Sequence, residues 1–194
     1  MIYALLRDGG LSDGTAGNFS ISVLALGMIA TPLTMVVPVL FDDWCKVEGR
    51  SKMRLAYQRL ANIGLGLGVL TFVVGYPFVE PGTLLLFGSA YLPSVTSTLI
   101  MLGSVYALFL TRLLTAALFA LGKPNIIAAG AASRLLVVGA LLMFFDHTSL
   151  TVAAISWVCG EYLGMVLMGA HLRTKFGWSL AEIFGYSFKA GKTV

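Results

Sequence analysis

The chain has 194 residues, of which 58% are hydrophobic and only 11% charged, and its mean hydropathy is +0.89. A water-soluble domain of that size has too much surface for its volume to hide so much apolar area, which excludes an ordinary soluble globule. The formal net charge of +4 sits largely in short segments between apolar runs, so it speaks for contact with anionic lipid heads and gives no reason to invoke nucleic acid.

Uncharged runs cover residues 14–41, 60–79 and 81–111, each long enough to cross about 30 Å of hydrocarbon at about 1.5 Å per residue. They are continuous rather than alternating, so helices are expected and a transmembrane barrel is not. The opening MIYALLRDGG has no basic start followed by an apolar core. Residues 1–17 therefore read as a leader on the outer side rather than a cleavable signal.

The first expected span, 18–41, carries TPLTMVVP, in which Pro32 and Pro38 should kink or loosen the helix and free backbone carbonyls. The second, 60–79, contains GLGLG from Gly64 to Gly68, a small-xxx-small face suited to close helix contact. No strand precedes it and no lysine follows it, so it is not a nucleotide loop. The stretch YPFVEPGTLLLFGSAYLP at 76–93 is rich in Pro, Gly and Tyr and is expected to lie along the outer interface.

The third span, 94–121, places Ser97, Ser104, Thr111 and Thr115 near one stripe with Arg112. The fourth, 124–145, adds Asn125, Ser133 and Arg134, and the fifth, 150–172, adds Ser156, Gly160, Glu161 and Gly164. The tail, 173–194, spaces Trp178, Ala181, Phe184 and Phe188 at roughly helical intervals. It reads as a short amphipathic helix on the inner leaflet, or else as a frayed end. Cys45 and Cys159 lie at different depths and read as free packing thiols rather than a disulfide or zinc site. His147 reads as a solvated turn residue, and His171 as one that reaches for the inner interface.

Basic residues fix the expected orientation. Lys46, Arg50, Lys52, Arg54, Arg59, Lys123, Arg173, Lys175, Lys189 and Lys192 fall on one side, and only Arg7 on the other, with Asp8, Asp13, Glu80 and Asp146. The positive-inside rule makes the basic side cytoplasmic, with the carboxyl terminus inside; the expected location is the plasma (inner) membrane. A first span that enters from outside suggests that the sequence starts partway through a larger transporter.

Arg112 and Arg134 each stand 11 residues from Lys123, about 16 Å along a helix and so near the bilayer centre. Glu161 falls at the same level. Isolated charges there cost about 2.5–3.5 kcal/mol each on insertion scales, so they must face one another or water. One glutamate leaves one arginine over. Two readings stay open: a buried Arg–Glu pair that fixes helix register, or a hydrated cationic cavity for an anionic substrate. Arginine suits phosphate because its fork binds two oxygens and stays charged. Arg112, Arg134 and Glu161 are the candidate substrate-binding residues, and Ser104, Thr111 and Thr115 the candidate cavity lining.

The segments GNFSISVLALGMIATPLTMVVPVL, LLLFGSAYLPSVTSTLIMLG and LLTAALFALGKPN, in that order, resemble the carboxyl-terminal part of the polysaccharide-biosynthesis flippases, the lipid-linked oligosaccharide exporters of the multidrug/oligosaccharidyl-lipid/polysaccharide superfamily. The resemblance implies an all-α membrane protein whose roughly five spans form one bundle of a two-bundle transporter. It also implies a missing amino-terminal bundle or a second subunit as partner. The implied activity is flipping of a lipid-linked pyrophosphate sugar from the cytoplasmic to the outer leaflet, with no cofactor. A proton or sodium gradient is a candidate driving force, and Glu161 the available carboxylate. A drug/cation antiporter of the same superfamily would favour acidic cavity residues. A membrane enzyme would need clustered carboxylates with a metal, or a spaced His and Asp, which the sequence lacks. A non-transporting assembly subunit is the third alternative.

Overall fold

A computed structural model describes residues 13–46, 50–145 and 149–186. Every regular element among them is helical: α1 (Asp13–Lys46), α2 (Arg50–Gly75), α3 (Val79–Phe87), α4 (Ser94–Leu102), α5 (Val105–Ala120), α6 (Pro124–Phe144), α7 (Leu150–Phe176) and α8 (Leu180–Ile183), with 3₁₀ turns at Tyr76–Phe78 and Ser89–Tyr91. Among the described residues three stretches are long and apolar enough to cross a membrane: Ser51–Phe87, Pro124–Phe144 and Leu150–Phe176. A fourth is obtained if the bent pair α4 and α5 counts as one span. Five were expected. Helix α1 runs for 34 residues through both Pro32 and Pro38, and its apolar stretch among the described residues is Ala16–Met28. Pro32 is exposed.

Two elements depart from the sequence reading for visible reasons. Residues 76–87 do not leave the second span to lie apart from it, because Ser51–Phe87 forms one long helical stretch. Pro77 sits in the first turn of its 3₁₀ element and Pro81 in the first turn of α3, where a missing N–H costs least. The rod ends at Gly88, whose φ of +88° favours a residue without a Cβ.

The third expected span is broken rather than straight, bending by 45° between α4 and α5. At the break the ladder tightens: Gly103 N–H donates to the Ile100 carbonyl at 3.1 Å and Ser104 N–H to that of Met101 at 2.9 Å, both three residues back as in a 3₁₀ turn. The Ser104 hydroxyl donates to the same Met101 carbonyl at 2.7 Å. The Tyr162 hydroxyl from α7 donates to the Gly103 carbonyl at 2.9 Å, satisfying an acceptor that would be costly to leave bare in hydrocarbon.

Helix α5 is the centre of the bundle. It packs on α1, α2 and α7 and more lightly on α6, which leaves Leu110, Leu113, Leu114, Ala116, Ala117 and Leu118 almost fully buried. The glycine face of α2 makes this possible: a Cβ at Gly68 would come within 2.7 Å of Tyr106 Cβ, and one at Gly64 would collide with the Phe109 ring. Helix α1 is joined to α4 by hydroxyls. Ser22 Oγ lies 2.6 Å from Ser97 Oγ and donates to the Ser94 carbonyl at 3.2 Å, while Thr98 Oγ1 donates to Ser22 at 2.9 Å. Ser97 is thus helix-to-helix glue. Leu85, Leu136, Met143 and Phe144 point outward, as lipid-facing side chains would.

Part of the tail packs on protein, while Leu180 and Tyr186 stay exposed. Gly177 (φ +67°) caps α7, and Ser179 with Glu182 forms a capping box on α8. Trp178 and Ile183 are buried. Trp178 meets Tyr57 edge-on at 4.9 Å, the Tyr57 hydroxyl donates to the Ile183 carbonyl at 3.0 Å, and the Tyr106 hydroxyl to that of Phe184 at 2.6 Å. A tail spread on a lipid surface would leave these groups unpaired. Phe188 lies outside the described residues.

Candidate functional site

The α6–α7 pair is the most closely packed in the bundle, and the reason is local. Gly160 and Gly164 lie one turn apart on α7 and face Arg134. A Cβ at Gly160 would stand 3.0 Å from Val138 Cγ2 and 3.2 Å from the Arg134 carbonyl oxygen. At Gly164 it would stand 2.8 Å from both Cγ and Cδ of Arg134. The bare helix surface is therefore a groove in which the aliphatic stem of Arg134 lies, so that its head reaches Glu161.

Arg134 Nη1 donates to both carboxylate oxygens of Glu161, at 3.1 Å to Oε1 and 3.0 Å to Oε2. The side chains are 24% and 10% exposed, so the two charges neutralise each other in a largely water-poor setting. Only one nitrogen is used. Among the described residues, Nε and Nη2 of Arg134 have no acceptor. Half of a guanidinium fork therefore remains free to hold a second anion.

The pair borders an open cleft of about 250 Å³ lined by Ala131, Leu135, Val138, Trp157 and Gly160 as well as Arg134 and Glu161. Its wall is mainly apolar, with the ion pair and the Trp157 indole as its polar groups. Trp157 Nε1 is buried and makes no hydrogen bond, a donor without a partner. Trp157 was not singled out in the sequence, yet it precedes Glu161 by one helical turn, a spacing that puts both on one face.

The structure brings together Arg134 and Glu161, but it does not bring Arg112 into this cleft. Arg112 is half-buried on α5 and makes no hydrogen bond or ion pair among the described residues. Its neighbours on the helix face, Thr115 and Phe119, are likewise less covered than the rest of α5. Ser104 and Thr111 are buried, at 0% and 1% exposure, and border none of the clefts described here. Ser104 is spent on Met101, while Thr111 Oγ1 has no partner. Thr115 donates to the Thr111 carbonyl at 2.8 Å. Ser133 turns back on its own helix, to Gly130. Buried Ser156 leaves its hydroxyl unpartnered.

His171 is half-buried and edge-on to Phe176 at 6.2 Å. Cys159 is a free thiol, as expected, but it is exposed and does not pack within this chain. His147, Asp146 and the side chains of Cys45 and Pro38 lie outside the described residues. Among the described residues no group of three or more His, Cys, Asp or Glu is placed to hold a metal ion. No family model, no curated protein and no solved structure matched the chain.

Proposed function

We propose that this chain is part of a membrane transporter that moves a lipid-linked, anionic polysaccharide precursor across the bilayer. The observation that carries the proposal is the surplus of arginine. Glu161 satisfies one nitrogen of Arg134, and Arg112 has no partner at all among the described residues. A cation held within an apolar span is costly unless an anion or water meets it, and a substrate pyrophosphate is such an anion. The free Nε and Nη2 of Arg134 suit two phosphate oxygens.

In this mechanism the substrate phosphate takes the free Nε and Nη2 of Arg134 and draws the guanidinium away from Glu161. Loosening that pair frees α6 from α7 and couples binding to rearrangement of the bundle. The part-covered Arg112–Thr115 face of α5 meets a second bundle, supplied by another subunit or a second copy, and the precursor passes between them from the cytoplasmic to the outer leaflet. A proton or sodium gradient acting through Glu161 is the proposed driving force.

One observation favours a second reading. The Arg134–Glu161 pair is closed and largely buried, as a register-fixing contact in a non-transporting assembly subunit would be. A drug/cation antiporter has less support, because the cations outnumber the carboxylates along α5, α6 and α7. The deciding experiment is leaflet exchange of a fluorescent lipid-linked pyrophosphate sugar in proteoliposomes, with the chain alone and with candidate partner bundles. Arg112→Gln and Arg134→Lys should each lower the flipping rate at least tenfold. Unchanged flipping, or flipping absent with every partner, sinks the transporter reading.

A further inference from the structure

The end of the bundle where α2 begins, α5 turns into α6 and α7 stops holds a second, separate feature. Two adjoining clefts of about 490 and 340 Å³ share Leu121, Lys175 and Phe176. Lys123 and His171 complete the first, and Ser51, Met53, Arg54 and Trp178 the second. Among the described residues no carboxylate lines either. Arg54 is already engaged: Nε donates to Glu182 Oε1 at 3.0 Å, Nη2 bonds Glu182 Oε2 and donates to the Gly177 carbonyl at 3.2 Å, and the guanidinium sits 5.9 Å from the Trp178 ring centroid.

Lys123 and Lys175 are different. Both are exposed and neither has an ion-pair or hydrogen-bond partner among the described residues. His171, in the wall of the same cleft, has a buried Nε2 with no partner. Lys123 also precedes the first turn of the 21-residue α6, whose amino terminus adds partial positive charge. The floor is apolar, made by Leu121, Phe176, Met53 and Trp178. Two free ammonium groups above an apolar floor match a ligand that joins a phosphate to a hydrocarbon body.

The geometry points to a binding site for the phosphate headgroup of an anionic phospholipid, held by Lys123 and Lys175 with its acyl chain along Leu121 and Phe176. This site is independent of the transport reading and uses none of its residues. It differs from general attraction of basic loops to a charged membrane in depending on these two lysines and not on others at the same end, such as exposed Lys52.

The test is native mass spectrometry of the full chain in detergent with phosphatidylglycerol, phosphatidylcholine or inorganic phosphate added. At roughly one Lys-surface contact each, loss of both lysines should weaken phosphatidylglycerol binding about thirty-fold. The Lys123→Gln/Lys175→Gln chain should fall to the level of phosphatidylcholine, Lys52→Gln should bind as the parent does, and Lys123→Arg/Lys175→Arg should restore binding, which separates charge loss from misfolding. Equal binding of the two lipids by the parent chain overturns the proposal. So does undiminished binding by the double Gln variant. Displacement of the lipid by millimolar inorganic phosphate would assign the site to free phosphate and overturn it as a lipid site.

Discussion

Replacing Gly164 with alanine tests how the Arg134–Glu161 pair is built without touching either charge. The new Cβ would stand 2.8 Å from Arg134 Cγ and Cδ and 3.2 Å from Nε, against an ordinary contact of about 3.5–4 Å. The stem must therefore shift by roughly 1 Å, or the helices must part. From 3.0 and 3.1 Å, such a shift takes Nη1 beyond hydrogen-bond reach of Glu161. A charged hydrogen bond contributes about 1.5–3 kcal/mol, and alanine returns about 1 kcal/mol of helix propensity. The net loss should be about 0.5–2 kcal/mol. Gly139→Ala is the control, because a Cβ there meets nothing within 4 Å. Unfolding in mixed micelles would read both variants. In a Glu161→Gln background, the Gly164→Ala penalty should shrink by at least half. Equal stability of Gly164→Ala and Gly139→Ala would refute the groove as the element that positions Arg134.

Removing the Tyr162 hydroxyl (Tyr162→Phe) bares the Gly103 carbonyl at the α4–α5 bend, and should cost about 1 kcal/mol in the same assay. Ser22→Ala removes the hydroxyl shared by Ser94, Ser97 and Thr98, with an expected loss of about 0.6–1.7 kcal/mol and faster hydrogen exchange in α4. For the tail, burial pushes the Glu182 carboxyl up, but hydrogen bonds from Arg54 and from the Ser179 backbone and hydroxyl outweigh it and hold it below the ordinary 4.5. Its contribution is thus present above pH about 4.5 and is lost as pH falls through the lowered value. Exchange protection of residues 178–186 should drop with acid in the parent chain, and should be low and pH-independent over that window in Glu182→Gln.

Composition and run length made the helical membrane class legible, since uncharged runs of span length have few other homes. The glycine pairs on α2 and α7 were also readable as contact faces. The occupant of each was not: spacing cannot tell that Tyr106 and Phe109 fill one and the Arg134 stem the other. Depth arithmetic placed Arg134 level with Glu161, and the structure pairs them. The same arithmetic placed Arg112 there too, but depth carries no azimuth, and α5 is turned so that Arg112 stays out of that cleft. The α4–α5 bend escaped notice because its partners, Gly103 and Tyr162, are distant in sequence and join only in the fold. The tail's fate turned on Arg54 and Glu182, a pair separated by 128 residues.

The transport account stands most directly on Arg112. With Cys45 and Cys159 replaced by alanine, a single cysteine introduced by Arg112→Cys should react in membranes with a membrane-impermeant thiol reagent, and an anionic lipid-linked sugar should slow that reaction. The account predicts labelling and protection, with the candidate partner bundle present. A folded Arg112→Cys chain that is never labelled, or is labelled at a rate the substrate does not change, would contradict it.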